Sequence, residues 1–218
     1  MGLFHRSMGA GLNILGIPGT SRARALARAA GALGFTLSAG CAAEAVDPAP
    51  ETSVGAVEGT DAVVAAVRGE GKVTLYVCGG ASSYATMTRW FEGAAEASGA
   101  FSLANGGWTA SAEPGGDAGR LRTPDGAELA FQLRPASLDR AEGLYAAVDS
   151  GCRTGVVVLT PEGAEAPALQ GTWCGAGDRY AQVTPIRSLH EIDRRGIEVR
   201  VEVDGARKHL LVTPLDQP

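Results

Sequence analysis

The chain has 218 residues, of which 45% are hydrophobic, and a formal net charge of −5. This suits one globular domain, alone or with a processed leader. The first forty residues carry four arginines and no acid, so residues 41–218 hold 15 basic and 24 acidic side chains, a net charge of −9. A domain this acidic, without a basic stripe, argues against nucleic acid as a partner.

Residues 1–40 are predicted to be a signal peptide. A basic region ends at Ser21–Arg28 and is followed by Ala29–Ala39, an uncharged stretch of 11 residues. That length is typical of a signal-peptide core and is too short for a stable transmembrane helix. An acidic, proline-rich segment comes next, and we expect residues 41–53 to be a flexible tether.

The run Leu37-Ser-Ala-Gly-Cys41 resembles a bacterial lipobox, in which the Cys becomes the lipidated first residue of the mature chain. The resemblance covers the leader alone, and Ser38 stands where an aliphatic residue is usual. It implies an exported protein of the bacterial cell envelope, an outer-membrane or cell-surface lipoprotein held at the membrane by a lipid on Cys41. Two alternatives remain open. Simple cleavage after Ala43 or Ala45 would give a soluble periplasmic or extracellular protein, and an amphipathic N-terminal helix could belong to a cytoplasmic protein.

Residues 54–218 are predicted to form a single β-rich domain. The densest strand signal is Lys72–Gly80, whose apolar residues point to both faces, so this strand should be covered on two sides near the centre of the fold. Ala81–Ala97 has helical character and predicts one short helix or irregular turn. Turn signals such as Asn105-Gly-Gly and Pro124-Asp-Gly126 then recur every eight to twelve residues or so, roughly the spacing of antiparallel β-barrels and β-sandwiches rather than of βαβ units.

The C-terminal segment, residues 196–213, is predicted to be a β-hairpin. Apolar and charged residues alternate along it, and a two-residue turn at Asp204-Gly205 makes Val203 face Ala206. In the same register Val199 lies opposite Leu210. Because a charged connection precedes the hairpin, we expect it to pack as an appendage to the main sheet.

The cysteines of an exported protein lie in an oxidising compartment, where paired thiols tend to become disulfides. With Cys41 assigned to lipid, three cysteines remain, which allow one intrachain bond. If the strands on either side of Pro161-Glu-Gly163 pair about that turn, Cys152 lies opposite Cys174, and we predict a disulfide between them. A bond from Cys78 to either of them stays open as an alternative, because the sequence does not fix the connectivity.

No catalytic or metal site is predicted. The run Gly79-Gly-Ala-Ser-Ser83 follows a strand, as a nucleophile elbow would, but it lacks the G-x-S-x-G pattern, and His209 is expected on the solvent face of the terminal hairpin. Cys78, Cys152 and Cys174 are 74 and 22 residues apart. A zinc site needs much shorter spacings, so no metal and no other cofactor is expected.

Aromatic side chains are the candidates for ligand binding. If they line a barrel mouth, they could stack on a sugar or another small ligand; otherwise they fill the core. The candidates are Tyr76, Trp90, Trp108 and Trp173. We expect a non-enzymatic binding or structural role in the cell envelope, with an envelope protein or a small molecule as partner. A secreted hydrolase with an unrecognised site is the alternative. A deep polar cavity with convergent ionisable groups would favour the hydrolase, and a filled interior would favour the binding or structural role.

Overall fold

The structure, a computed structural model, describes residues 49–149, 151–177, 179–191 and 195–215. The described part of the chain contains 14 strands, all paired antiparallel, with one four-residue α-helix and two 3₁₀ helices. The predicted mainly β fold, with one short helix and a C-terminal hairpin, is confirmed, and its sheets are barrel-like. The predicted signal peptide and residues 41–48 of the predicted tether lie outside the described residues.

The first eight strands form one sheet that curls toward closure. They are β1 (Glu51–Val57), β2 (Val63–Gly69), β3 (Lys72–Cys78), β4 (Arg89–Ala94), β5 (Phe101–Asn105), β6 (Trp108–Ala112), β7 (Ala118–Arg122) and β8 (Glu128–Pro135). Their spatial order is β4-β3-β2-β1-β8-β7-β6-β5, which places β1 in the middle and β4 and β5 at the two ends. An isolated bridge between Ala95 and Phe101 joins these ends. This curled sheet is the first barrel.

Tight turns with left-handed residues set the register of two of its hairpins. β2 and β3 pair around Glu70 and Gly71, whose φ angles are 53° and 70°. β5 and β6 pair around Gly106 and Gly107, whose φ angles are 57° and 81°. Positive φ at both central residues is the signature of a type I′ hairpin turn, so the turn predicted at Asn105-Gly-Gly is confirmed.

Strand β3 is buried on both faces, as its composition predicts. Val73, Leu75 and Val77 contribute to the apolar core of the first barrel. Tyr76 and Cys78, on the opposite face, belong to a separate cluster shared with the second sheet. All five side chains are at most 1% exposed.

Residues 81–97, predicted to hold one short helix or irregular turn, contain one short helix followed by a strand. Helix α1 spans only Tyr84–Met87. Thr88 then adopts an extended backbone with φ −66° and ψ 121°, and the chain returns along β3 as strand β4. Trp90 pairs there with Tyr76, a cross-strand aromatic contact that apolar spacing along the sequence does not reveal.

The remaining six strands close into a second barrel. They are β9 (Gly143–Asp149), β10 (Cys152–Leu159), β11 (Ala168–Gly175), β12 (Arg179–Pro185), β13 (Ile197–Val203) and β14 (Ala206–Pro214). The order around the barrel is β10-β11-β12-β13-β14-β9. Short 3₁₀ helices at Leu138–Arg140 and Leu189–Glu191 precede β9 and β13.

The terminal hairpin has the predicted register. Val203 pairs with Ala206 and Val199 with Leu210 around Asp204 and Gly205. The expectation that it packs as an appendage is wrong, because β13 also pairs with β12 and β14 also pairs with β9. Closure of the barrel buries the apolar face of the hairpin, which an appendage would leave open to water.

The predicted disulfide between Cys152 and Cys174 is present, with the two Cα atoms 5.7 Å apart. The register predicted for this hairpin is wrong by one residue, since Leu159 pairs with Ala168 and Gly155 with Thr172. An eight-residue connection joins β10 to β11, in place of a tight turn at Pro161-Glu-Gly163. The disulfide therefore joins the strands just beyond their last backbone pair, and Cys78 is left as a buried free thiol.

Three apolar clusters account for the packing of the described residues. The first fills the first barrel and is built around Leu75, Phe91 and Phe131. The second fills the second barrel around Tyr145, Val199 and Val201. The third lies between the two sheets and includes buried residues from both: Val54, Ala65, Tyr76, Cys78, Leu144, Val157 and Leu159. The two barrels thus share a continuous apolar contact layer.

A buried carboxylate holds the connection between the barrels. Glu142, immediately before β9, has a side chain only 1% exposed. Its oxygens accept two hydrogen bonds from Arg134, at 2.6 and 2.7 Å, and one each from the backbone N–H groups of Ser137 and Thr160, at 2.8 and 2.6 Å. Burial alone would raise the pKa of Glu142, but these hydrogen bonds outweigh it and lower the pKa to about 2.

Both ends of the first barrel are closed by an arginine on an aromatic ring. Arg68 continues the inward-facing row of β2 and lies over Phe101, with 5.9 Å from its guanidinium carbon to the ring centroid. At the opposite end, Arg89 continues the inward-facing row of β4 and lies 4.3 Å from the ring centroid of Trp108. Burial lowers the pKa of both guanidinium groups. The interior of the first barrel is therefore filled by side chains and covered at both ends.

Candidate functional site

Three of the four predicted stacking residues are part of the packed interior. Tyr76 is fully buried, Trp108 is 8% exposed and Trp173 is 5% exposed. Trp173 donates from Nε1 to Asp149 Oδ2 at 3.1 Å, and the Tyr76 hydroxyl donates to the carbonyl of Gly155 at 3.1 Å. These rings stabilise the fold and present no open face to a ligand.

Trp90 is the predicted stacking residue that reaches the surface. It is half-buried on the outer face of β4, where it lines a cleft with a volume of about 320 Å³. The other lining residues are Glu92, Ala104, Asn105 and Arg153. Arg153 comes from β10 of the second barrel, so the cleft lies where the outer surface of the first barrel meets the second.

The indole of Trp90 is fixed by two ring contacts and a hydrogen bond. Its centroid is 4.2 Å from that of Tyr76, with a tilt of 33° between the rings. The guanidinium carbon of Arg153 lies 3.8 Å from the Trp90 centroid. A phenol ring and a guanidinium cannot share one face at these distances, so the indole is sandwiched between them. Trp90 Nε1 donates to the carbonyl of Arg153 at 3.1 Å, which holds the ring in its plane.

The polar groups of the cleft form a neutral set. Arg153 makes an ion pair with Glu92, and their side chains are 29% and 58% exposed. Asn105 donates from Nδ2 to the carbonyl of Trp90 at 2.7 Å. The cleft therefore combines carboxylate and amide acceptors with guanidinium and amide donors beside one aromatic ring.

The open seam of the first barrel explains why the cleft is at this place. β4 and β5 are neighbours in space. In the described residues, the backbone bridge between them is an isolated one at Ala95 and Phe101, near one end of the seam. Toward the other end, the Asn105 side chain provides a hydrogen bond from β5 to β4. Gly93 permits the close approach between these points, because a Cβ there would lie 2.7 Å from Leu103 Cδ2. The cleft lies on the outer side of this seam, beside Ala104 and Asn105.

Sequence reasoning missed Glu92, Asn105 and Arg153. Asn105 is read from the sequence as a turn residue, and nothing in that pattern indicates that it also lines the cleft. Glu92 and Arg153 are 61 residues apart in the chain, on strands whose proximity the sequence does not reveal. The one usable signal is that Arg153 follows a cysteine predicted to be in a disulfide, which ties its position to a rigid part of the fold.

The serine-rich run after β3 is hydrogen-bonded to the loop between β1 and β2. Asp61 accepts hydrogen bonds from the Ser82 hydroxyl at 2.6 Å, from the Ser82 backbone N–H at 2.8 Å and from the Ser83 hydroxyl. The Ser82 and Ser83 side chains lower the pKa of Asp61 to about 2. A carboxylate with so low a pKa is a poor general base near neutral pH, so this cluster does not resemble an activated serine nucleophile.

The thiol and the imidazole that remain as candidates for chemistry lie in different surroundings. Burial raises the pKa of the Cys78 thiol to about 11, which keeps it protonated and unreactive. His209 pairs with Arg200 across the terminal hairpin and is exposed, as predicted. Within the described ranges, no group of three or more His, Cys, Asp or Glu side chains could hold a metal ion.

Comparison with known protein families, with curated proteins and with solved structures finds no match. In the part of the chain that the structure describes, no helix combines the length and the hydropathy of a membrane-spanning segment.

Proposed function

We propose that this protein is an exported, lipid-anchored cell-envelope protein whose β-domain has a non-enzymatic binding role. The lipobox-like run ending at Cys41 supports export and anchoring, and strand β1 begins ten residues after it. The anchor would thus be separated from the folded domain by a short linker.

The observation that carries the binding role is the filling of both barrels. Each interior is occupied by an apolar cluster, and the first barrel is also capped by Arg68 and Arg89. A hydrolase of this architecture would need a cavity in which ionisable groups converge. The cleft beside Trp90 is instead shallow, and its charged groups neutralise one another, which suits recognition better than proton transfer.

The disulfide supports export. Disulfides form and persist in oxidising compartments, and the Cys152–Cys174 bond closes a 22-residue separation at one end of the second barrel. The acidic composition of the domain is compatible with this location and gives no reason to expect nucleic acid as a partner.

The anchoring part of the proposal is tested by labelling growing bacterial cells with an alkyne fatty acid and determining the mature N-terminus by mass spectrometry. We expect a labelled protein that begins at Cys41, and loss of the label in Cys41→Ser. Cys78→Ser is the matched control and should keep the label. An intact Met1 in the soluble cytoplasmic fraction would overturn export, whereas a free N-terminus at Glu44 or Val46 would overturn lipidation alone.

A further inference from the structure

We propose that the cleft beside Trp90 binds one ring of a neutral carbohydrate. This inference rests on the proposed role as a binding protein of the cell envelope and names the class of ligand. Three features of the cleft point to this class: its aromatic ring, the polar groups around that ring and the charge of the site.

The first feature is the fixed aromatic ring of Trp90, the platform of the site, whose outer face is covered by the side chain of Arg153. Tyr76 supports the Trp90 ring from the buried side, and the bond from Trp90 Nε1 to the Arg153 carbonyl prevents the ring from turning. The guanidinium of Arg153 covers the other face, but it belongs to a partly exposed side chain whose ion pair with Glu92 is also exposed. Moving the guanidinium aside gives up this ion pair, which contributes little free energy, and the cation–π contact with the indole, which a stacked sugar ring would replace. The C–H face of a sugar ring can then take its place over the indole.

The second feature is a set of groups that matches hydroxyls. Each sugar hydroxyl both donates and accepts, and the cleft offers the Glu92 carboxylate as acceptor and Arg153 and Asn105 as donors. The displaced guanidinium remains beside the platform as a donor. A purely apolar ligand would leave these polar groups desolvated without partners, which is unfavourable.

The third feature is charge, which separates neutral from ionic ligands. Arg153 and Glu92 cancel within the cleft, while residues 41–218 carry a net charge of −9. The field of the whole domain therefore repels polyanionic glycans, and a cation would find the Glu92 carboxylate of the cleft already paired with Arg153. A neutral sugar experiences neither penalty.

The volume of about 320 Å³ and the open shape of the cleft suit a single ring at the end or side of a chain. With one stacking surface and few hydrogen bonds, we expect a dissociation constant on the order of 0.1–10 mM for a single site. Such affinity is useful when a glycan in the envelope presents many copies of its repeating unit.

The test uses the full-length processed protein in detergent, with intrinsic tryptophan fluorescence and titration calorimetry as readouts. The probes are maltohexaose, cellohexaose, xylohexaose and chitohexaose, with polygalacturonate as the anionic comparison. We expect at least one neutral probe to bind and to change the tryptophan emission, and polygalacturonate not to bind.

Variants assign the binding to the cleft. Glu92→Ala should weaken binding about tenfold, since it removes the carboxylate acceptor. Trp90→Phe, which keeps a ring on Tyr76, should weaken it about fivefold. Glu128→Ala, an exposed ion-paired glutamate on β8, is the matched control and should bind as the wild type does. The thermal midpoint of each variant, measured alongside, separates lost binding from lost folding.

Three results would overturn the inference: no binding of any neutral probe up to about 10 mM, binding of polygalacturonate alone, or unchanged binding in folded Glu92→Ala and Trp90→Phe. None of them affects the fatty-acid label on Cys41 or the mature N-terminus. Failure of the sugar site is therefore distinguishable from failure of the proposed export and anchoring.

Discussion

Replacing Glu142 by glutamine should destabilise the protein far more than replacing an exposed carboxylate such as Glu128. Each carboxylate oxygen of Glu142 accepts two hydrogen bonds, from the Arg134 side chain and from a backbone N–H group of Ser137 or Thr160. In Glu142→Gln one oxygen becomes an NH₂ group. Two donors then face a donor in a buried site, and the charge that Arg134 pairs with is lost.

The magnitude follows from the pKa of the carboxyl group. Hydrogen bonding lowers the pKa from the ordinary 4.5 to about 2. At about 1.4 kcal/mol for each pKa unit, this corresponds to about 3 kcal/mol of folding stability at neutral pH. Loss of two hydrogen bonds to a charged group, at roughly 1.5 kcal/mol each at the low end of the range, gives a similar value. We therefore expect Glu142→Gln to lower the free energy of unfolding by about 3 kcal/mol.

The sign of the pH dependence provides a second measurement. A depressed folded-state pKa stabilises the protein fully above the unfolded pKa of 4.5, and the effect is lost as the pH falls toward the folded value of about 2. The difference in unfolding free energy between wild type and Glu142→Gln should accordingly be largest near neutral pH and shrink between pH 4.5 and 2.

Urea denaturation followed by tryptophan fluorescence, at a series of pH values, measures both effects. Glu128→Gln is the matched control, because its pair with Arg120 is 3.4 Å long and both side chains are more than half exposed. It should cost no more than about 0.5 kcal/mol. A loss below about 1 kcal/mol for Glu142→Gln, or a loss independent of pH, would refute the view that this carboxylate holds the connection between the barrels.

The other predictions concern the disulfide and two glycines. Cys152→Ala combined with Cys174→Ala should lower the free energy of unfolding by about 3 kcal/mol, and dithiothreitol should have the same effect on the wild type but none on the double variant. Gly155→Ala should cost about 2 kcal/mol in urea denaturation, because its Cβ would lie 2.4 Å from Tyr76 Cζ; wild-type stability would contradict the close packing between the barrels. Gly205→Val should cost roughly 1–3 kcal/mol, because φ is 74° there, and should speed hydrogen exchange in β13 and β14; unchanged exchange would contradict the turn geometry.

Local chemistry made part of the fold predictable. The Asp204-Gly205 turn and the alternation of Val199 with its charged neighbours independently fix one register, and the structure has that register. The two apolar faces of β3 likewise predict cover on both sides. Both inferences use residues close together in the chain, where turn geometry and side-chain period leave few choices.

The partition into two barrels could not be predicted in this way. It depends on the pairing of β1 with β8 and of β9 with β14, which brings together distant segments that carry no turn signal. The error of one residue between β10 and β11 has a related cause, since the long connection after Leu159 does not fix a register as a two-residue turn does.

The candidate site was predictable only through Trp90. Its other polar residues lie on strands whose neighbours the sequence does not reveal. The inward position of Arg68 could have been predicted from the sequence, because Arg68 lies an even number of residues along β2 from the buried Val64 and Ala66. An arginine at the end of a strand is usually expected to be exposed to solvent. The alternation of side chains between the two faces of β2 is the signal that Arg68 points inward.

The central place of β1 in its sheet has a mechanical consequence. A pull on the chain N-terminal to Glu51 is applied along a strand that is hydrogen-bonded on both sides, to β2 and to β8. Antiparallel hydrogen bonds run perpendicular to the strands, so such a load shears two rows of bonds together instead of opening them one at a time. A domain anchored to the membrane through this strand would therefore resist unfolding when a ligand bound to its outer surface pulls on it.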